Sequence, residues 1–173
     1  GIAWNSSGAQ LAAASHGGVT IFEARRGAPL RSLSRRAPLR SLSWSPDDRV
    51  VACGTQDCSV HFWRLENGKE SSISGFTSMP RALSWDSEST LLATSGAPAV
   101  SVWHFDGDGP EGRRPTLLVG HEALCTVLAF QPHGPLLGSG GDDGKVLLWF
   151  PRGEPSPIAA AHMQETVTAL AWV

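Results

Sequence analysis

The sequence predicts an all-β chain built from one repeated unit, a four-stranded antiparallel meander present four times and followed by the opening strand of a fifth. Three observations predict it. Aromatic residues recur in step: Trp4, Trp44, Trp85, Phe130 and Trp172 are spaced by 40, 41, 45 and 42 residues, and Phe22, Trp63, Trp103 and Trp149 by 41, 40 and 46. A fixed period of this size marks a repeat architecture. Each period holds short apolar runs of 4–6 residues, too short for helices and rich in Val, Ser, Leu and Trp. Gly (19) and Pro (12) are frequent while charged residues make up only 17%, which suits many short strands joined by turns.

The first unit, about 1–36, carries Trp4 and Phe22, with Asn5-Ser6-Ser7-Gly8 reversing the chain after its first strand. The second, about 37–77, shows all four runs: Leu39 to Trp44, Val50 to Gly54, Ser59 to Trp63 and a weaker Ser71 to Ser74. Between them lie Ser45-Pro46-Asp47-Asp48, Gln56-Asp57 and Glu66-Asn67-Gly68-Lys69, all rich in turn formers. In the third unit, about 78–121, Trp85 precedes the turn Asp86-Ser87-Glu88-Ser89, and Leu91 to Gly96 and Trp103 follow. In the fourth, about 122–163, Phe130 precedes Gln131-Pro132-His133-Gly134, and Asp142-Asp143-Gly144 sets a tight hairpin before the strand that ends at Trp149. Residues 164–173 are expected to open a fifth unit. Because each unit leans on its neighbours, one domain is expected over 1–173.

No apolar run approaches the roughly 18 residues that span a bilayer, and the N-terminus lacks the succession of a signal peptide. Three cysteines, Cys53, Cys58 and Cys125, are too few and too scattered for a disulfide framework. A reducing compartment, the cytoplasm, is the expectation. The chain opens on Gly-Ile-Ala-Trp inside a strand-like pattern and stops at Ala-Trp-Val, so it reads as an internal piece of a longer protein. Isolated, such a piece is expected to expose two blade faces and to associate or unfold.

Gly120-His121 and the run Leu137-Gly138-Ser139-Gly140-Gly141-Asp142-Asp143-Gly144-Lys145-Val146-Leu147-Leu148-Trp149 resemble the WD (WD40) repeat, with Phe150 where an Asp usually follows the Trp. The resemblance implies a β-propeller of four-stranded blades and, by function, a non-catalytic scaffold that binds protein partners without a cofactor. It further implies a buried hydrogen-bonded set of His, Ser, Asp and Trp, which here is His121, Ser139, Asp143 and Trp149. The second unit keeps Asp57 and Trp63 but has Arg35 for His and Cys53 for Ser; the third keeps Trp103 with Thr94 and has no Asp; the first has Ala13 and Phe22. Most blades are therefore expected to hold by apolar packing. Arg81-Ala82-Leu83-Ser84-Trp85-Asp86, Leu91 to Gly96 and the loop Phe105 to Gly112 are similar to bacterial WD-repeat proteins, some of which accompany CobW-type metal-chaperone GTPases, and twelve Arg against two Lys suits a GC-rich bacterial source.

Ser139, His121 and Asp143 invite comparison with a hydrolase triad. Yet Leu-Gly-Ser-Gly-Gly misses the first glycine of the nucleophile elbow and no strand-to-helix turn follows, so no catalytic residue is assigned. Gly140 to Lys145 fails as a phosphate loop because Val146 follows the Lys. Asp106-Gly107-Asp108-Gly109 and Glu111 supply too few spaced oxygens for calcium, and the cysteines lack the spacing of a zinc site, so no metal is expected.

Charge is uneven. Residues 1–40 carry a net +5 and residues 41–173 a net −7, with six arginines and no acid from Arg25 to Arg40. Such a stretch protects an outer edge strand or meets an anionic partner. Nucleic acid is disfavoured, since the overall charge is −2 and no aromatics are interleaved. Arg40 and Arg81 each stand four residues before a first-strand aromatic, the slot of Thr126 and Thr168 in later units. With Gln56, Asp142, Arg35 and Arg36 they are the candidate partner-binding residues; the alternative is that Arg40 and Arg81 line a water-filled channel.

Overall fold

The computed structural model describes residues 1–35, 37–107 and 109–173. Their sixteen strands form four separate four-stranded antiparallel sheets, each in sequence order, and no helix occurs among these residues. The chain divides into two compact units, Gly1–Pro80 and Arg81–Val173, each with two sheets.

In the first unit, β1 (Ile2–Trp4), β2 (Gln10–Ser15), β3 (Gly18–Glu23) and β4 (Pro29–Ser34) make one sheet, and β5 (Leu39–Trp44), β6 (Val50–Thr55), β7 (Val60–Arg64) and β8 (Glu70–Ile73) make the next. Expected and observed strands of the second sheet differ by at most one residue at an end. Val19, Ile21 and Leu33 of the first sheet join Leu39, Trp44, Val51 and Trp63 of the second in one buried cluster.

In the second unit, β9 (Leu83–Trp85), β10 (Leu91–Thr94), β11 (Val100–His104) and β12 (Thr116–Leu118) form the third sheet, and β13 (Cys125–Phe130), β14 (Leu137–Gly141), β15 (Lys145–Trp149) and β16 (Ala159–His162) the fourth. Val100, Val102 and Leu118 pack with Leu128, Phe130, Leu137 and Trp149. The middle strands β6, β10 and β14 are buried along almost their whole length, whereas β4 and β16 are exposed at nearly every position. A strand covered on both faces needs no polar alternation, which is why the middle strands read as continuous apolar or small-residue runs.

The turn after each of the first three aromatics is one device with interchangeable side chains. Asn5, Ser45 and Asp86 each donate their backbone N–H to the residue five on, and their side-chain oxygens accept the return N–H from Gln10, Val50 and Leu91 at 2.8, 2.9 and 2.8 Å. The reversal needs a left-handed residue at the fourth position, occupied by Gly8, Asp48 and Ser89 with φ of 68, 60 and 60°.

Residues 164–173 do not form the strand expected there: among the described residues nothing pairs with them in a ladder. They are anchored one bond at a time. Val167 N–H donates to Gly141 O at 3.1 Å, Thr126 Oγ1 to Val167 O at 2.5 Å, and Trp172 Nε1 to Ala129 O at 3.0 Å. Trp44 makes the equivalent bond to Ala3 O at 3.2 Å, so the segment sits on the fourth sheet as β5 sits on the first.

Candidate functional site

The link before β13 and the β14–β15 hairpin bring four polar side chains of the fourth sheet together. His121 Nδ1 lies 3.0 and 3.1 Å from the two oxygens of Asp143, its Nε2 lies 2.8 Å from Ser139 Oγ, and Trp149 Nε1 donates to that oxygen at 2.7 Å. Only one assignment of protons leaves every donor facing an acceptor: indole to hydroxyl, hydroxyl to imidazole, imidazole to carboxylate. Asp143 also accepts the backbone N–H of Glu122 at 2.8 Å and of Lys145 at 3.0 Å. Burial alone raises its carboxyl, but these two N–H groups and His121 outweigh burial and bring it down to about 2.

The connectivity is that of an acyl-transfer triad, yet the geometry forbids attack. Ser139 is 0% exposed and its oxygen already takes the Trp149 N–H, so no substrate carbonyl can approach it.

The third sheet keeps one link of the set, Trp103 Nε1 to Thr94 Oγ1 at 3.0 Å. In the second sheet Asp57 turns to its own hairpin, accepting from Ser59 Oγ at 2.5 Å and from Thr55 Oγ1. Trp63 is buried in the core. Arg35 reaches Asp57 only at 3.8 Å and Glu70 at 3.3 Å, and Glu70 Oε1 also meets His61 Nδ1 at 3.1 Å. Sequence reading missed Glu70 and His61; the one available signal was a His within an otherwise apolar strand.

The candidate partner residues fall in both units. In the first, Arg40 is the extra residue of a β-bulge between Leu39 and Ser41, exposed, and Gln56 of the facing hairpin, also exposed, donates its N–H to Pro38 O at 3.1 Å. A bulge re-aims the side chain it carries. In the second unit, Thr126 occupies the same bulge within β13, between Cys125 and Val127, and exposed Asp142 donates its backbone N–H to Leu124 O at 2.9 Å. Arg81 is exposed, its backbone N–H bonded to Ser95 Oγ at 3.0 Å. Neither Arg40 nor Arg81 makes an ion pair among the described residues. Arg36 lies outside the described residues.

The basic stretch is partly consumed within the first unit. Arg31 donates to Leu65 O, Arg35 pairs with Asp57 and Glu70, and Arg26 leans toward Glu23 at 3.9 Å. In the loop considered for calcium, Asp106 is paired with Arg113 at 3.2 Å, while Asp108 lies outside the described residues. Among the described residues no group of three or more His, Cys, Asp or Glu could hold a metal, and no helix is long and apolar enough to cross a membrane.

Residues 27–64 and 112–149 match the WD40 family, described as WD domain, G-beta repeat. The chain is 26% identical over 157 residues to the WD repeat-containing protein slp1 of Schizosaccharomyces pombe, covering 86% of this chain and 32% of slp1. It is 25% identical over 133 residues to the anaphase-promoting complex subunit cdc20 of Dictyostelium discoideum (75% and 26% of the two chains), and 32% identical over 105 residues to Protein HIR1 of Yarrowia lipolytica (61% and 8%). It thus spans no more than 32% of the length of any of these three. A chain of the crystal structure of the mitotic checkpoint complex superimposes with a TM-score of 0.83 over 99% of this chain and 52% of its own length, at 22% identity, a likeness of fold. Together these matches support the WD40 repeat family and an all-β, propeller-type fold.

Proposed function

We propose that this WD40-repeat chain is a rigid, non-catalytic platform for protein partners. The observation that carries the reading is the fate of its most enzyme-like group: Ser139, His121 and Asp143 are bonded in a triad-like line, but the serine is fully buried and its oxygen is committed to Trp149. What faces outward is contact chemistry, not reaction chemistry. Arg40 and Gln56 in the first unit, and Arg81 and Asp142 in the second, are exposed on a backbone fixed by hydrogen bonds. Unpaired guanidinium groups call for carboxylates or clustered carbonyl oxygens on the partner. Two similar proteins carry names of multi-protein assemblies, the anaphase-promoting complex and the mitotic checkpoint complex, which supports a role within an assembly.

A cytoplasmic setting belongs to this reading and rests on three cysteines that are all free. The narrower association with CobW-type GTPases of bacteria also remains a proposal, resting on residues 81–86, 91–96 and 105–112; the three relatives named above are eukaryotic.

Affinity capture with this protein as bait tests the platform. Arg40→Ala and Arg81→Ala each lower partner recovery by about tenfold or more if they are contact hot spots. Recovery unchanged in both variants removes these residues from the surface. Binding of an oligonucleotide that falls steeply with salt would instead favour an anionic ligand for the arginine stretch.

A further inference from the structure

The link between the first two sheets contains a repeat of its own. Residues 28–34 and 37–43 both read Ala-Pro-Leu-Arg-Ser-Leu-Ser, nine positions apart. The first copy supplies β4, the outer edge of the first sheet, where only Leu33 is buried. The second supplies β5, the first strand of the second sheet, with Leu39 buried and Ser41, Leu42 and Ser43 half-buried. Identical side chains even bulge differently: β4 loses register between Pro29 and Arg31, β5 between Leu39 and Ser41. Both copies border the same apolar cluster, which includes Leu33, Leu39 and Leu42.

In its native place β5 pairs Ser41 with Gly54, Leu42 with Cys53, Ser43 with Ala52 and Trp44 with Val51. Moved forward by nine, the first copy offers Ser32, Leu33 and Ser34 to the same three partners, identical residue for residue. The mismatch falls on the last pair, where Arg35 replaces Trp44. Trp44 is 7% exposed and its indole N–H is bonded to Ala3 O, so this one residue distinguishes the two registers. The loop before β6 would lengthen from 45–49 to 36–49, and loop-closure cost grows only with the logarithm of length.

We propose that the 28–34 copy competes for the β5 position, and that the first unit folds in part through an exchanged register in which residues 30–35 pair with β6. The exchanged form keeps the ladder to β6 and gives up β4 and the Trp44 contact; resolving it requires that ladder to break and re-form.

Ser32 provides the test. In β4 it is exposed, so Ser32→Val leaves the native strand intact and suits its β conformation. In the exchanged register position 32 takes the place of Ser41, whose Oγ accepts Gly54 N–H at 3.0 Å and donates to Pro80 O at 2.9 Å in a space where even a Cβ on Gly54 would collide. A branched side chain without a hydroxyl cannot occupy it. Stopped-flow refolding of the chain, followed by tryptophan fluorescence, is expected to show a slow phase that a prolyl isomerase does not accelerate and that vanishes in Ser32→Val with the unfolding midpoint unchanged. Trp44→Arg, which makes the two registers nearly equivalent, is expected to enlarge that phase. A single-exponential wild type, a slow phase accelerated by the isomerase, or one that survives Ser32→Val overturns the proposal.

Discussion

The indole N–H of Trp149 is bonded to the hydroxyl of Ser139 at 2.7 Å, and Trp103 holds Thr94 in the same way at 3.0 Å. The hydroxyl is the hinge of the whole set in the fourth sheet, since it serves the indole on one side and His121 on the other. Ser139→Ala leaves a buried N–H and a buried imidazole nitrogen without partners, each costing about 1–3 kcal/mol. Denaturant unfolding is expected to show the loss, and a Ser139→Ala/Trp149→Phe double-mutant cycle to be non-additive, because the second change removes the donor that the first orphans. Strict additivity would mean the bond contributes nothing.

Asp143 makes the same set sensitive to acid. Its carboxyl is held at about 2 in the fold against an ordinary 3.8. A depressed pKa contributes stability that is complete above the ordinary value and is lost as pH falls toward the folded one. Unfolding midpoints are therefore expected to drop between pH 4 and 2. Asp143→Asn is expected to be less stable than wild type at neutral pH and flatter across that acid window. A wild type and variant with parallel acid profiles would exclude Asp143 as the source.

Much of this was legible from the chain alone, and the exceptions have physical reasons. The aromatic period located every sheet because each unit must present the same apolar side chain to the same neighbour. The turns after Trp4, Trp44 and Trp85 could be read because few side chains reverse a strand. Arg35 was harder. It stands in the slot of His121, yet its charge finds Glu70 from β8, and no sequence spacing relates the two. The arginine run suggested an outer edge strand or an anionic face; β4 is such an edge, but the bond of Arg31 to Leu65 O in the β7–β8 turn is long-range and has no signal in the run itself. The paired heptapeptides give the limit of local reading: identical residues become an exposed edge in one copy and a half-buried first strand in the other, so burial there is decided by tertiary position.

The cysteines report how the two units open. Burial pushes the Cys53 and Cys125 thiols up to about 12, leaving almost no thiolate at neutral pH. Cys58 lies half-buried in the β6–β7 hairpin. Iodoacetamide followed by mass spectrometry is expected to label Cys58 within minutes and Cys53 and Cys125 only as the fold opens, at rates that rise with denaturant. Labelling of Cys53 as fast as Cys58 under native conditions would show that the second sheet is not closed.

His61 is the other titrating group that the fold has bent. It is buried on β7, opposite Cys53, and shares Glu70 Oε1 with Arg35, while Asp57 lies 3.8 Å from the other terminal nitrogen of that guanidinium. Burial first, and then the charge of Arg35, hold its pKa below the ordinary 6.5; Glu70 and Asp57 pull the other way without prevailing. A depressed imidazole is protonated more readily in the unfolded chain, so its contribution to stability is complete above 6.5 and declines as pH falls toward the folded value. Arg35→Gln removes the repelling charge and keeps the length of the side chain, so His61 should titrate higher. Glu70→Gln removes the attracting charge and should move it lower. The Cε1–H resonance of His61 followed across pH separates the two variants, and a titration unchanged in both would show that burial alone, not the Arg35–Glu70 pair, governs this histidine.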